Sequence, residues 1–126
     1  MTQLKSFNVE IVSSSDNRLP PSGQVQLSLL DVSLADAPAV SQAELRLRCG
    51  GVMPINLQLA FDSSLIDPRR TYALSVRIEK DGKLHFINTS RHPIDPYRVF
   101  GTQRVVVDSV AGALEGMHGG NLFKDQ

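Results

Sequence analysis

Apolar side chains recur at every second position along most of this chain, which is the period of a strand with one buried face. The pattern is cleanest over 71–80, where Tyr72, Leu74, Val76 and Ile78 share one face and Ala73, Ser75, Arg77 and Glu79 the other. Asp81-Gly82 follows, and then a second run over 83–88 that holds Leu84, His85 and Phe86. Asp-Gly between two such runs predicts a hairpin, because a type I′ turn needs positive φ at both central residues.

The same reading predicts five further strands. Phe7, Val9 and Ile11 alternate over 4–12. Val25, Leu27 and Leu29 alternate over 24–32, and the pattern then shifts to Leu30 and Val32, which predicts a bulge or burial on both faces. Over 40–49, Ala43, Leu45, Leu47 and Cys49 oppose Glu44, Arg46 and Arg48. Over 52–61, Ile55, Leu57, Leu59 and Phe61 share a face, and Pro54 belongs at the strand's start or on an edge. Over 102–110, Val105 and Val107 face away from Val106.

Between these runs stand turn signals. They are the polar stretch 13–17, Leu19-Pro20-Pro21-Ser22-Gly23, the small and acidic residues of 31–38, and Gly50-Gly51. Asp62 or Ser63 is placed to cap a single helical turn, which Pro68 limits. The spacing from Asp67 to Tyr72 matches a tyrosine corner, in which the phenol bonds backbone upstream. The stretch 91–101 holds two prolines, Pro93 and Pro96, and is expected to be a long connection. The glycine-rich residues 111–126 are expected to form a flexible tail.

About seven short strands with turn signals roughly every ten residues predict an all-β chain, a single-domain antiparallel β-sandwich with at most a short helical turn. The 126 residues suit one domain over 1–126 with a single core. A monomer is expected.

Composition narrows the partners. Thirteen basic residues balance thirteen acidic ones, so no global field draws nucleic acid or an anionic membrane. Arg69 and Arg70 with Arg91 and Arg98 lack interleaved aromatics and are expected in exposed turns. The single cysteine, Cys49, cannot form an internal disulfide and is expected as a buried thiol in a strand. No stretch approaches the roughly 20 apolar residues of a membrane helix. Met1-Thr2-Gln3-Leu4-Lys5 is not a secretory signal, because no apolar run follows it.

Signals for catalysis are absent from the local sequence. His85, His92 and His118 have no partners at metal-ligand spacing, and Cys49 has no second cysteine. No serine sits in GxSxG, and the glycines around His118 do not make a phosphate loop. Asp31 and Asp36 are expected to bond their own turns rather than act as paired carboxylates. No enzyme, metal or cofactor is expected.

Two blocks of sequence resemble a known family. Arg18-Leu19-Pro20-Pro21 followed by Val25-Gln26-Leu27-Ser28-Leu29-Leu30-Asp31-Val32-Ser33-Leu34-Ala35-Asp36-Ala37-Pro38 is similar to the opening of the YbaY/YscW lipoproteins. Phe61-Asp62, then Ile66-Asp67-Pro68-Arg69-Arg70-Thr71-Tyr72, Ile78 and Asp81-Gly82-Lys83-Leu84-His85-Phe86 resemble its second block. The resemblance covers roughly residues 7 to 108, and the two blocks in order are more specific than either alone. It implies a small lipoprotein with a β-sandwich fold. It also implies a place at the periplasmic face of the outer membrane, held by a lipid on an N-terminal Cys that is not found near Met1. One branch comprises type III secretion pilotins, which bind the C-terminal segment of an outer-membrane secretin and assist its localisation and oligomerisation. The other branch is of undefined role. The family's motif residues fit structural parts: Pro20 and Pro21 a stiff loop, Asp67, Pro68 and Tyr72 the corner, Asp81 and Gly82 the hairpin.

A pilotin must hold a short peptide, either as a helix in an apolar groove or as a strand on a sheet edge. Apolar residues outside the clean strand pattern are the candidate anchors: Leu30, Leu34, Val52, Met53, Tyr97, Val99 and Phe100. Leu122 and Phe123 on the tail are a further possibility, and they could instead fold back onto the sandwich. Two rivals stand beside this reading. One is an envelope lipoprotein domain with no secretin partner. The other is a small ligand-binding or enzymatic domain, which a convergent polar pocket would favour over an exposed apolar groove.

Overall fold

A computed structural model of the chain describes residues 3–14, 18–34, 36–99 and 101–110. The described residues form eight strands: β1 Leu4–Ser13, β2 Gly23–Asp31, β3 Val40–Cys49, β4 Ile55–Asp62, β5 Tyr72–Lys80, β6 Lys83–Ile87, β7 His92–Ile94 and β8 Gln103–Ser109. The expected fold class holds, with one strand more than the hydrophobic pattern predicts. That strand, β7, is three residues long and lies within the stretch expected as a connection. It pairs with β5 through His92–Leu74, Pro93–Ala73 and Ile94–Tyr72. Pro93 is tolerated because β7 is an edge strand.

The strand order is β3-β2-β5-β6-β8-β1-β4, and the sheet rolls into a nearly closed barrel. One half is β3-β2-β5-β6 with β7, and the other is β8-β1-β4. The halves join through β6 and β8 at the pairs Phe86–Ser109 and Ile87–Asp108. The ladders are antiparallel except β1 with β8, which run parallel from Val9–Gln103 to Ser13–Val107. A pairing of the first strand with the last is a matter of closure, on which local patterning is silent.

The predicted local devices are present. Asp81 (φ 51°) and Gly82 (φ 78°) form the β5–β6 turn. The shift expected at Leu30 is a register break between Leu29, opposite Ala43, and Leu30, opposite Ser41. A 3-10 turn over Ser63–Leu65 is capped by Asp62, whose carboxylate accepts from the Ser64 N–H at 3.0 Å. Gly23 starts β2 because a Cβ there would meet Pro20 Cγ at 2.8 Å and Cys49 Sγ at 3.1 Å.

The inward faces fill the barrel. Val9, Ile11, Val25, Leu27, Leu29, Leu74, Val76, Ile78, Val105 and Val107 are fully buried. Phe7 packs against Phe61 with ring centroids 5.7 Å apart. Each fully buried aliphatic side chain contributes about 1.5–3 kcal/mol by removal from water.

Candidate functional site

Two regions depart from this closed core. One is a corner where three connections meet. Asp31 ends β2, and its carboxylate accepts from the Ser33 N–H at 3.0 Å and the Ser33 hydroxyl at 2.6 Å. It also pairs with Arg70 at 3.1 Å, with its own side chain only 9% exposed. The Ser33 hydroxyl in turn accepts from the Thr71 N–H at 2.8 Å, and Val32 N–H donates to Thr71 O at 2.8 Å. Hydrogen bonds from Ser33 and then the Arg70 charge hold the Asp31 carboxyl below its ordinary range, against the opposing effect of burial. Asp31 therefore bonds its own turn, as its sequence context predicts.

The tyrosine corner sits beside this network. The Asp67 N–H donates to the Tyr72 hydroxyl at 2.9 Å, and Tyr72 is buried. Tyr97 approaches from the other side and donates to Ile66 O at 2.6 Å. Asp67 pairs with Arg69 at 3.1 Å, and its carboxyl is lowered chiefly by hydrogen bonds from Arg69. Between them lies a cleft of about 350 Å³, lined by Ile66, Asp67, Pro68, Arg70, Thr71, Tyr72 and the residues from Pro93 to Tyr97. Its charged groups Asp67, Arg70 and Asp95 already have partners, Asp95 accepting from the Tyr97 N–H at 3.0 Å, so the cleft is built as a structural joint.

The other region is the seam where the barrel fails to close. β3 and β4 end the strand order and lie side by side, but no ladder joins them among the described residues. Their inward faces are therefore incompletely covered. Leu45 and Cys49 of β3, and Ile55 and Leu57 of β4, are half-buried against the core, and Leu47 is 41% exposed. Burial pushes the Cys49 thiol up. Deeper in β4, Leu59 and Phe61 are buried. The seam is an apolar strip flanked by two strand edges, which can take an apolar helix face or an added strand.

The candidate anchors fall in several places. Leu34 and Val52 are exposed, and Val52 sits on the β3–β4 connection at the end of the seam. Val52 also bridges to Arg18. Tyr97 is 47% exposed on the rim of the corner cleft, and Val99 is half-buried against the core. Leu30 is half-buried beside the β2–β3 register break. Met53 is only 4% exposed, so it packs into the core and presents no surface to a partner. It lies in the connection 50–54, which is tied back by the Leu19 N–H donating to Gly51 O at 2.9 Å. Phe100 and the tail residues Leu122 and Phe123 lie outside the described residues. Among the described candidates, Leu34, Val52 and Tyr97 are exposed, Leu30 and Val99 half-buried and Met53 buried.

Leu45, Leu47, Ile55 and Leu57 escape a search for apolar residues in odd places, because they sit in perfect strand alternation. The available signal is weak: β3 carries Arg46 and Arg48 opposite a modest inner face, as an edge strand does. Cys49 lies in its strand as expected, half-buried at the seam.

Among the described residues, no three His, Cys, Asp or Glu side chains gather as metal ligands. His92 Nε2 lies 3.4 Å from Gln103 Oε1. His118 lies outside the described residues.

Comparison with known proteins agrees with this architecture. Residues 3–103 match the family described as the type III secretion system lipoprotein chaperone, YscW. The match spans most of the chain, and the chain belongs to that family. The uncharacterized lipoprotein YbaY of Escherichia coli K12 is 34% identical over 77 residues, which is 60% of this chain. The matched segment spans only 40% of that relative's own length. Among solved structures, an alternative pilotin from the type II secretion system of Vibrio cholerae is similar, with a TM-score of 0.77 and 32% identity. That likeness covers 86% of this chain and 98% of the pilotin.

Proposed function

We propose that this protein is a type III secretion pilotin. It binds the C-terminal segment of an outer-membrane secretin and assists its localisation and oligomerisation. It acts as a monomer and without catalysis. It is held by an N-terminal lipid at the periplasmic face of the outer membrane.

The observation that carries this reading is the uncovered apolar seam between β3 and β4 in a chain of the YscW family. Likeness to a pilotin of a second secretion system supports secretin binding, and the family description favours the type III branch. The docking surface in this reading is Leu45, Leu47 and Leu57, with Val52 at its end. Leu30 and Leu34, and Tyr97 with Val99, are alternative anchors to be tested beside it. Burial of a few aliphatic anchors against the seam gives modest affinity, because an unstructured partner loses chain entropy when it orders.

The test is calorimetric titration with C-terminal peptides of type III and type II secretins. Micromolar or tighter binding is expected for the type III peptide, weakened more than about tenfold by Leu47→Asp in a folded protein, the size expected for a central anchor. Loss on Tyr97→Asp instead would move the site to the corner. No binding of either peptide by the folded chain would favour the envelope lipoprotein without a secretin partner.

A further inference from the structure

The two ends of the barrel differ in surface chemistry. The pairs Leu4–Asp62, Asp31–Val40 and Asp31–Tyr72 put the starts of β1, β3 and β5 and the finishes of β2 and β4 at one end, the end that holds the corner. There Leu4, Leu34 and Leu65 are 62–72% exposed, and Val40 and Tyr97 are also exposed. Five of the eight large apolar side chains exposed among the described residues thus stand at this end. Exposed Ala37, Pro38 and Ala39 add small apolar surface beside Val40. The opposite end is polar and basic: Arg18, Arg48, Lys80 and Lys83 gather near the Asp81-Gly82 turn and the start of β2.

We propose that the corner end of the barrel docks on a phospholipid bilayer, with Leu4, Leu34, Val40, Leu65 and Tyr97 at the interface. This rests on the N-terminal lipid proposed above and adds to it a contact made by the fold itself.

Its first support is where the chain enters the fold. The Gln3 N–H donates to Asp62 Oδ1 at 3.1 Å, and the Ser63 N–H donates to Gln3 O at 2.8 Å. Leu4 is therefore fixed beside the turn that carries Leu65. In a family described as lipoproteins, a lipid upstream of Gln3 draws this end to the membrane. The tether raises the effective concentration of bilayer at this end, and not of a second copy.

Its second support is the chemistry of the end. Leucines on a rim bury their side chains at the boundary between headgroups and acyl chains, and tyrosine suits the same boundary. Exposed Lys5, Arg69 and Arg98 stand at the same end and reach lipid phosphates through long apolar stems. Asp31, Asp62, Asp67 and Asp95 there accept hydrogen bonds within the fold, whereas Asp36 stands exposed. Docking at this end stands the β3–β4 seam upright on the membrane, with its Val52 end pointing away from the lipid.

The experiment puts the full chain, with an N-terminal hexahistidine, on phosphatidylcholine vesicles that contain a nickel-chelating lipid. It therefore reads docking independently of natural lipidation and of secretin binding. In a Cys49→Ser background, Leu65→Cys or Lys83→Cys carries a polarity-sensitive fluorophore. Interfacial apolar groups sink about 5–10 Å into the headgroup boundary. The label at position 65 is expected to shift to the blue and to be quenched by bromine on the acyl chains, and the label at position 83 to do neither. Leu34→Ser should weaken the quenching at position 65, which mere nearness to the tether would leave unchanged. Where Cys49→Ser lowers the thermal midpoint, hydrogen exchange of the unsubstituted tethered chain reads the same contact, as slowed amides over 36–40 and 63–65. No quenching at position 65, quenching at position 83 instead, or unchanged exchange would overturn the proposal. So would slowing of those amides in vesicle-free solution that grows with protein concentration, since a second copy would then be the cover.

Discussion

The corner and the seam both lie where strands end, and they are closed by different physics. At the corner, Asp31, Arg70, Ser33, Thr71, Tyr72 and Tyr97 meet in directional bonds with defined partners. At the seam, no ladder joins β3 and β4 among the described residues, and apolar Leu47 is part-exposed. Directional bonds in a partly buried place fix one geometry, since each unmet group costs about 1–3 kcal/mol. Apolar contact carries no such demand and adapts to another apolar surface. The rigid corner therefore holds the barrel's shape, and the seam is free to receive a partner.

The largest expected effect separates buried from half-buried positions on one strand. Leu59→Ala should cost about 2–5 kcal/mol of unfolding free energy, because it leaves a cavity in the core. Leu57→Ala, two residues along at the seam, should cost well under half as much. Urea unfolding of both variants checks this, and equal losses would show the seam as tightly packed as the core.

Next comes the corner. Tyr72→Phe leaves the Asp67 N–H without its acceptor and should cost about 1–3 kcal/mol. The same urea measurement reads it. A loss near zero would mean that the phenol is dispensable to the joint.

Acid sharpens the contrast further. The Asp31 and Asp67 carboxyls are held below the ordinary 3.8, chiefly by hydrogen bonds from Ser33 and Arg69 respectively. A lowered pKa in the fold gives stability that is present above the unfolded value and lost as pH falls through the folded one. Stability should thus be level near neutrality and fall below about pH 4, the unfolded range of an Asp. Asp31→Asn should flatten that fall. Denaturation at a series of pH values tests it, and a rise in stability on acidification would contradict the account.

The smallest stability effect belongs to Leu47→Asp, which should stay within about 0.5 kcal/mol because the site is already part-exposed. Its consequence should appear in peptide binding alone. A large loss of stability would show that Leu47 serves the core.

The two regions also differ in how far the sequence reveals them. The corner is written locally: Asp67 and Tyr72 stand at the required spacing, and Asp31 lies within reach of Ser33. The same holds for the β5–β6 hairpin, where Asp81-Gly82 has the chemistry its turn needs. The seam depends on which strands are left unpaired when the barrel closes. Gly50-Gly51 between two alternating runs predicts a turn, and nothing local says that the strands on either side take other neighbours. β7 is hidden for another reason, since three residues around Pro93 carry no alternation to detect. Met53 shows the converse, a loop residue that is buried in the core.

The most direct test is to follow the backbone amides of the full chain by NMR while a type III secretin C-terminal peptide is added. The account predicts shifts clustered on β3 and β4, at Leu45, Leu47, Cys49, Ile55 and Leu57, with the corner residues near Tyr72 and Tyr97 still. Shifts clustered instead over 66–72 and 93–99, with the seam unmoved, would contradict it.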